Sequence, residues 1–165
     1  MNLEEKNDFM ILRDSLADRY CRLLLITGDS KEKAVFWNQI LGTDNQMCIS
    51  KELVNSLCNL PSAQRTKSVI DLFNRIGEGT ETLFLSDIEI LFDRLLSLDP
   101  INLLKTAARN RGIIVNWPGK IDFNSNSLSY ATPGHSEYFC TKMTEDILFF
   151  DESGRNSANK TTQRD

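Results

Sequence analysis

Three polar positions, each closing an apolar run, are placed to do chemistry together. Leu23-Leu24-Leu25-Ile26-Thr27 leads into Gly28-Asp29-Ser30-Lys31-Glu32-Lys33-Ala34, Thr82-Leu83-Phe84-Leu85-Ser86 ends at Asp87, and Gly112-Ile113-Ile114-Val115 ends at Asn116. A strand that breaks at a glycine and restarts as a helix offers free backbone amides and the positive end of a helix dipole, which is what holding a phosphate requires. A carboxylate at the end of a second strand can fix a magnesium ion or its water, and an amide at the end of a third can hydrogen-bond a γ-phosphate. The pattern points to a magnesium-nucleotide. Its nucleotide-binding candidates are Gly28, Asp29, Ser30, Lys31, Lys33, Ala34 and Asn116, Asp87 is the metal ligand, and Asp87 and Glu89 are the catalytic candidates.

Each position also has a plainer reading. Asp87 is a good N-cap for a following helix, and Glu89 suits a solvent-facing surface. Asn116 could satisfy backbone groups in the turn before Trp117-Pro118-Gly119. Arg109 and Arg111 could act as arginine fingers on a neighbouring subunit's nucleotide, or simply complement the dipole at a helix C-terminus. His135, the single histidine, has no nucleophile placed for it and reads as a surface turn.

The glycine loop itself departs from the usual phosphate-binding pattern of Gly, four residues, Gly-Lys and then Ser or Thr. It has no second glycine, its lysine falls out of register by one residue, and Ala34 offers magnesium no hydroxyl. Asp29 and Ser30 can cap the helix amides themselves, with Glu32 in capping-box spacing, at a gain of about 1 kcal/mol. Asp29 and Glu32 would repel a triphosphate of about four negative charges, and Lys31 and Lys33 offset that only in part. Two function classes follow. One is a protein with a degenerate nucleotide site that works through protein and DNA contacts; the other is an oligomeric AAA-like ATPase with an atypical loop.

The elements that must position these residues are readable from periodicity. Phe9, Leu12, Leu16 and Tyr20 mark a helix over residues 8–20, and residues 22–27 are apolar on both faces, as in the middle of a parallel sheet. A helix over 30–41 follows, then a short strand over 46–50 and helices over 51–60 and 63–76. Residues 82–87 form a buried strand, and Leu91, Leu95 and Leu98 outline a helix. Asp99-Pro100 starts a helix over 101–110, and residues 112–116 make a third buried strand. A hairpin over 121–130 and a last strand over 145–150 complete the domain. Strands alternating with helices predict a three-layer α/β domain with a mostly parallel sheet, spanning residues 1–150. The polar segment 151–165 reads as a disordered tail.

Composition agrees with one domain of 165 residues: 41% hydrophobic, 25% charged and few prolines or glycines. A net charge of -4 argues against a protein that coats nucleic acid by bulk attraction. Cys21, Cys48, Cys58 and Cys140 are far apart in sequence, without a Cys-x-x-Cys pair, and read as buried reduced thiols. With no signal-peptide stretch and no long apolar run, the expectation is a cytoplasmic protein without membrane contact.

Several segments resemble the BrxF family, the small P-loop-containing proteins of type 3 BREX phage-defence systems. They are Asp18-Arg19-Tyr20-Cys21-Arg22-Leu23-Leu24-Leu25-Ile26-Thr27-Gly28, Ser86-Asp87-Ile88-Glu89-Ile90-Leu91-Phe92-Asp93, Leu98-Asp99-Pro100, Asn110-Arg111, Val115-Asn116-Trp117-Pro118-Gly119 and Tyr130-Ala131-Thr132-Pro133-Gly134-His135-Ser136-Glu137-Tyr138. The resemblance runs in one order over residues 12–150. It implies a P-loop NTPase-like (AAA/ASCE-type) domain with Gly28 to Lys33 at the Walker A position, Asp87 at Walker B and Asn116 at a sensor position. It also implies a role in restricting phage DNA, with other BREX proteins as partners; contacts with DNA belong to the degenerate-site reading, and ATP, magnesium and homo-oligomers to the ATPase reading.

Overall fold

A computed structural model describes residues 3–28, 39, 45–151, 153, 155 and 156. The helix expected over 30–41 lies outside the described residues, Gln39 excepted. Among those described, eight strands form: Leu23–Ile26 (β1), Gln46–Cys48 (β2), Leu83–Ser86 (β3), Ile113–Asn116 (β4), Lys120–Asp122 (β5), Ser127–Tyr130 (β6), Phe139–Lys142 (β7) and Leu148–Phe150 (β8). Five of them make one sheet in the order β2-β3-β4-β1-β8, with every neighbouring pair parallel. Parallel pairing forces each connection to cross back over the sheet, so all five carboxyl ends lie along one edge.

The apolar runs are continuous because both faces of this sheet are covered. On one face Leu24, Ile26, Phe84, Ile114, Leu148 and Phe150 meet Phe9 and Leu12 of helix α1 (Leu3–Ser15), together with Leu16 of the 3-10 turn that follows it. On the other face, Leu23, Leu25, Leu83, Leu85, Ile113, Val115 and Phe149 meet three helices: α2 (Ile49–Leu57), α3 (Ser62–Gly77) and α4 (Pro100–Ala107). Successive strand residues alternate between the two clusters, as the two-residue pleat requires. The result is a three-layer α/β domain with a parallel five-stranded sheet. Among the described residues, no helix is long and apolar enough to cross a membrane.

Several expectations are met in detail. The Asp99 carboxylate accepts from the Asn102 amide at 3.1 Å and Pro100 is the first residue of α4, so this helix starts where its cap and proline place it. The expected hairpin forms as β5 and β6, with Asp122 opposite Ser127. The helix drawn through Leu91, Leu95 and Leu98 is absent, and two short 3-10 turns stand there, Glu89–Phe92 and Arg94–Leu96. Asp93 breaks the run: its backbone is extended and its carboxylate caps the second turn through the Leu95 amide, while Ser97 is left-handed at φ 48°. Leu95 is accordingly exposed. Only Cys21 of the four cysteines is buried; Cys48 is half-buried, and Cys58 and Cys140 are exposed.

Strand β7 was not expected; with β5 and β6 it makes a separate antiparallel sheet inserted between β4 and β8. Trp117 joins this insertion to the parallel sheet. Its backbone amide donates to the Ile26 carbonyl at 2.7 Å, and its indole Nε1 donates to the Ser129 carbonyl at 2.8 Å. Phe92 lies edge-on to the Trp117 ring at 5.4 Å and stacks on Tyr130 at 4.1 Å, so the 3-10 turn after β3 is tied into the same cluster. Past Phe150, the Asp151 carboxylate accepts from the Ser153 and Arg155 amides and from the Arg155 guanidinium, and Asn156 reaches the Asp8 carboxylate at 3.1 Å.

Gly119 passes so close to β6 that an added Cβ would sit 1.8 Å from the Ser129 carbonyl oxygen. Gly119→Ala is therefore expected to destabilise the domain by at least about 2 kcal/mol, measured by urea denaturation, because the obstacle is backbone. At the β5–β6 turn, the Ser125 and Asn124 amides donate to the Asp122 carboxylate and hold it below the usual carboxylate range. A depressed folded pKa means this contribution is present above the unfolded value and lost as pH falls through the folded one. The stability difference between wild type and Asp122→Ala should shrink below about pH 3.9, checked by urea midpoints on both sides of that value.

Candidate functional site

The three strands that end in the polar positions, β3, β4 and β1, are neighbours in the sheet. Ile26 pairs in register with Asn116, and Leu85 with Val115, so Gly28, Asn116 and Asp87 all leave the same edge. Ligands of open α/β sheets sit outside this edge. Gly28 departs at φ 133°, a conformation that side chains disfavour, which explains a glycine at that turn. Asp29, Ser30, Lys31, Glu32, Lys33 and Ala34 lie outside the described residues.

Asp87 is exposed and left-handed, with φ 51°. For a residue other than glycine such a conformation costs about 1 kcal/mol, and the surroundings must compensate. They do so through the junction of β2 and α2. The Ser50 amide and hydroxyl both donate to the Asp87 carbonyl, at 3.1 and 2.7 Å. The Cys48 thiol donates to Oδ2 of the carboxylate at 2.9 Å, and the Ser86 hydroxyl donates to the same oxygen at 3.2 Å. Burial and the Asp87 carboxylate push the Cys48 thiol up from its ordinary value, so it stays a protonated donor. The carboxylate thus takes its hydrogen bonds from β2 and β3, and the following 3-10 turn has no side-chain cap.

Asn116 is half-buried, and its Oδ1 is fully enclosed without a hydrogen-bond partner among the described residues. The reading in which it satisfies the backbone of the next turn is not what the side chain does. Glu89 is exposed at the start of the 3-10 turn after Asp87. Burial, followed by the charges of Glu137 and Glu89, pushes the Tyr130 hydroxyl up from its ordinary value. Arg109 and Arg111 flank the amino-terminal end of β4, opposite the edge carrying Asp87 and Asn116. The Arg111 guanidinium is taken up by the Glu81 and Ile76 carbonyls at 2.7 and 3.1 Å, whereas Arg109 is exposed. His135 is exposed in a turn, its Nδ1 accepting from the Glu137 amide at 3.1 Å.

A cleft of about 250 Å³ opens beside the aromatic cluster, with Phe92 and Phe139 on its apolar side and Asp93, Arg94 and Glu137 on its polar side. It is separate from the Asp87 and Asn116 edge. The residues that sequence reading missed are Cys48, Ser50 and Ser86, which hold Asp87 in place. No signal in the sequence marked them, because Cys48 and Ser86 come into register only when their two strands pair. The chain matches no family model, no curated protein and no solved structure.

Leaving a buried acceptor unpaired costs roughly 1–3 kcal/mol, and such acceptors are commonly completed by an ordered water, an ion or a ligand. Asn116→Ala is expected to keep the urea midpoint unchanged or raise stability by up to about 1 kcal/mol. A loss larger than about 1 kcal/mol would mark Asn116 as a structural residue instead.

Proposed function

We propose that this chain is a P-loop NTPase-like component of a BREX-type phage-defence system, with a degenerate nucleotide site, working through contacts with other proteins of that system and with DNA. The observation that carries the nucleotide part is the adjacency of β3, β4 and β1. It brings the glycine turn, an exposed carboxylate and an enclosed, unpartnered amide oxygen to one edge.

The fit to magnesium-nucleotide is good at two positions. Asp87 has an exposed carboxylate with Oδ2 held from behind, and Asn116 carries at the same edge an Nδ2 donor from which a γ-phosphate oxygen can accept. A bound magnesium ion would supply charge neutralisation for the phosphates at Asp87. The loop chemistry is poor by comparison, because the lysine is out of register and Ala34 carries no hydroxyl. Weak binding without efficient turnover is the consistent outcome. The BREX role rests on the sequence resemblance, whose more specific segments, around Trp117 and from Tyr130 to Tyr138, fall on the insertion sheet and its junction with β4. That location suits a surface for partners. The alternative, an active AAA-like ATPase acting as an oligomer, is favoured by the same Asp87 and Asn116 geometry.

Titration of a fluorescent ATP analogue with magnesium separates these readings. The expected result is saturable binding near the millimolar range, about -4 kcal/mol, that is lost in Asp87→Ala and kept in Lys33→Ala, with no phosphate release. Absence of any saturable signal would sink the ATPase. Binding that vanishes in Lys33→Ala, or magnesium-dependent turnover, would overturn the degenerate-site reading.

A further inference from the structure

We infer that Cys48 is a positioning residue for Asp87, and that its thiol sets which carboxylate oxygen faces a bound divalent cation. The inference deepens the proposed function, since it rests on Asp87 as the cation ligand. Cys48 ends the edge strand β2 and pairs in register with Ser86, so its side chain reaches one residue further along β3, to Asp87. With the Ser86 hydroxyl, it engages Oδ2. Neither donates to Oδ1, which is thereby left for the cation.

The arrangement is built, because two residues further on Ser50 grips the Asp87 carbonyl with both amide and hydroxyl. Ile49, between Cys48 and Ser50, is fully buried in the core against the helices of that face. The β2–α2 junction is thereby anchored to the core and clamps both ends of Asp87, its carbonyl through Ser50 and its carboxylate through Cys48. A left-handed aspartate held by one end alone would be free to rotate its carboxylate. Hydrogen-bond partners of ligating groups commonly govern metal affinity in this way, and losing one typically lowers it about 10- to 100-fold.

Two variants and two readouts test the idea. Manganese(II) binding, followed by the electron paramagnetic resonance of the free ion, reports the cation site. Hydrogen exchange of the Ser50 amide, which donates to the Asp87 carbonyl, reports the placement of Asp87 with no ligand present. Cys48→Ala should weaken manganese binding by about tenfold and speed Ser50 exchange, while Cys48→Ser, which keeps a donor, should restore both to within about twofold of wild type. Wild-type manganese binding that is unchanged in Cys48→Ala would overturn the inference. If wild type binds no manganese, the reading of Asp87 as a cation ligand fails, and Ser50 exchange then decides the role of Cys48 alone. Unchanged exchange in Cys48→Ala would overturn positioning, and faster exchange rescued by serine would sustain it.

Discussion

The parallel ladder between β1 and β4 is the constraint on which the rest of this molecule depends. Leu23, Leu24, Leu25 and Ile26 pair one for one with Ile113, Ile114, Val115 and Asn116, and all but Asn116 are buried almost completely. Two strands 90 residues apart can pair in parallel only if the chain between them crosses back over the sheet, and here that chain supplies α2, α3, α4 and the strands β2 and β3. Once the pairing is made, Thr27 and Gly28 must leave the sheet beside Trp117. The glycine turn, Asn116 and Asp87 therefore share an edge as a consequence of backbone hydrogen bonding, whatever chemistry they perform.

The second organising element is Trp117. It extends the β1–β4 ladder by one hydrogen bond, and its indole reaches across to β6. An aromatic cluster of Phe92, Trp117, Tyr130 and Phe139 then links the turn after β3, the end of β4 and the insertion sheet. These rings bury large areas, and their edge-to-face and stacked contacts add to what burial alone contributes. The insertion is thus braced to the same edge that carries the candidate site.

At the edge of Asp87 and Asn116 stand two local costs, a left-handed Asp87 and an Asn116 oxygen with no partner among the described residues; others, such as the left-handed Ser97 and Ala131 and the buried Arg19 Nε, lie elsewhere in the domain. The first is offset by the clamp from Cys48, Ser50 and Ser86. The second has no compensation within the described residues. Costs of this kind collect where a protein is shaped for something it binds, because a ligand supplies the missing contact. Their co-location at one edge of the parallel sheet is what supports the proposed site despite a loop that lacks the usual glycine and hydroxyl.

Much of the framework was legible in the residues themselves. Runs such as Leu23 to Ile26 and Ile113 to Val115, apolar at every position, demand a sheet covered on both faces, and Asp99-Pro100 starts a helix through local hydrogen bonding and a fixed φ. The turn at Gly28 and the polar strand ends at Asp87 and Asn116 were equally local signals. Leu91, Leu95 and Leu98 misled, since their spacing fits a helix but the Asp93 carboxylate captured the Leu95 amide and broke the run. Cys48 gave no sign of its role, because its partner Asp87 is 39 residues away in sequence. Periodicity, caps and turn residues act over a few neighbouring positions, so the sequence by itself determined the elements and their order. Which strands became neighbours, that Cys48 and Ser50 grip Asp87, and that Asn116 keeps an empty acceptor were decided only when distant segments met in three dimensions.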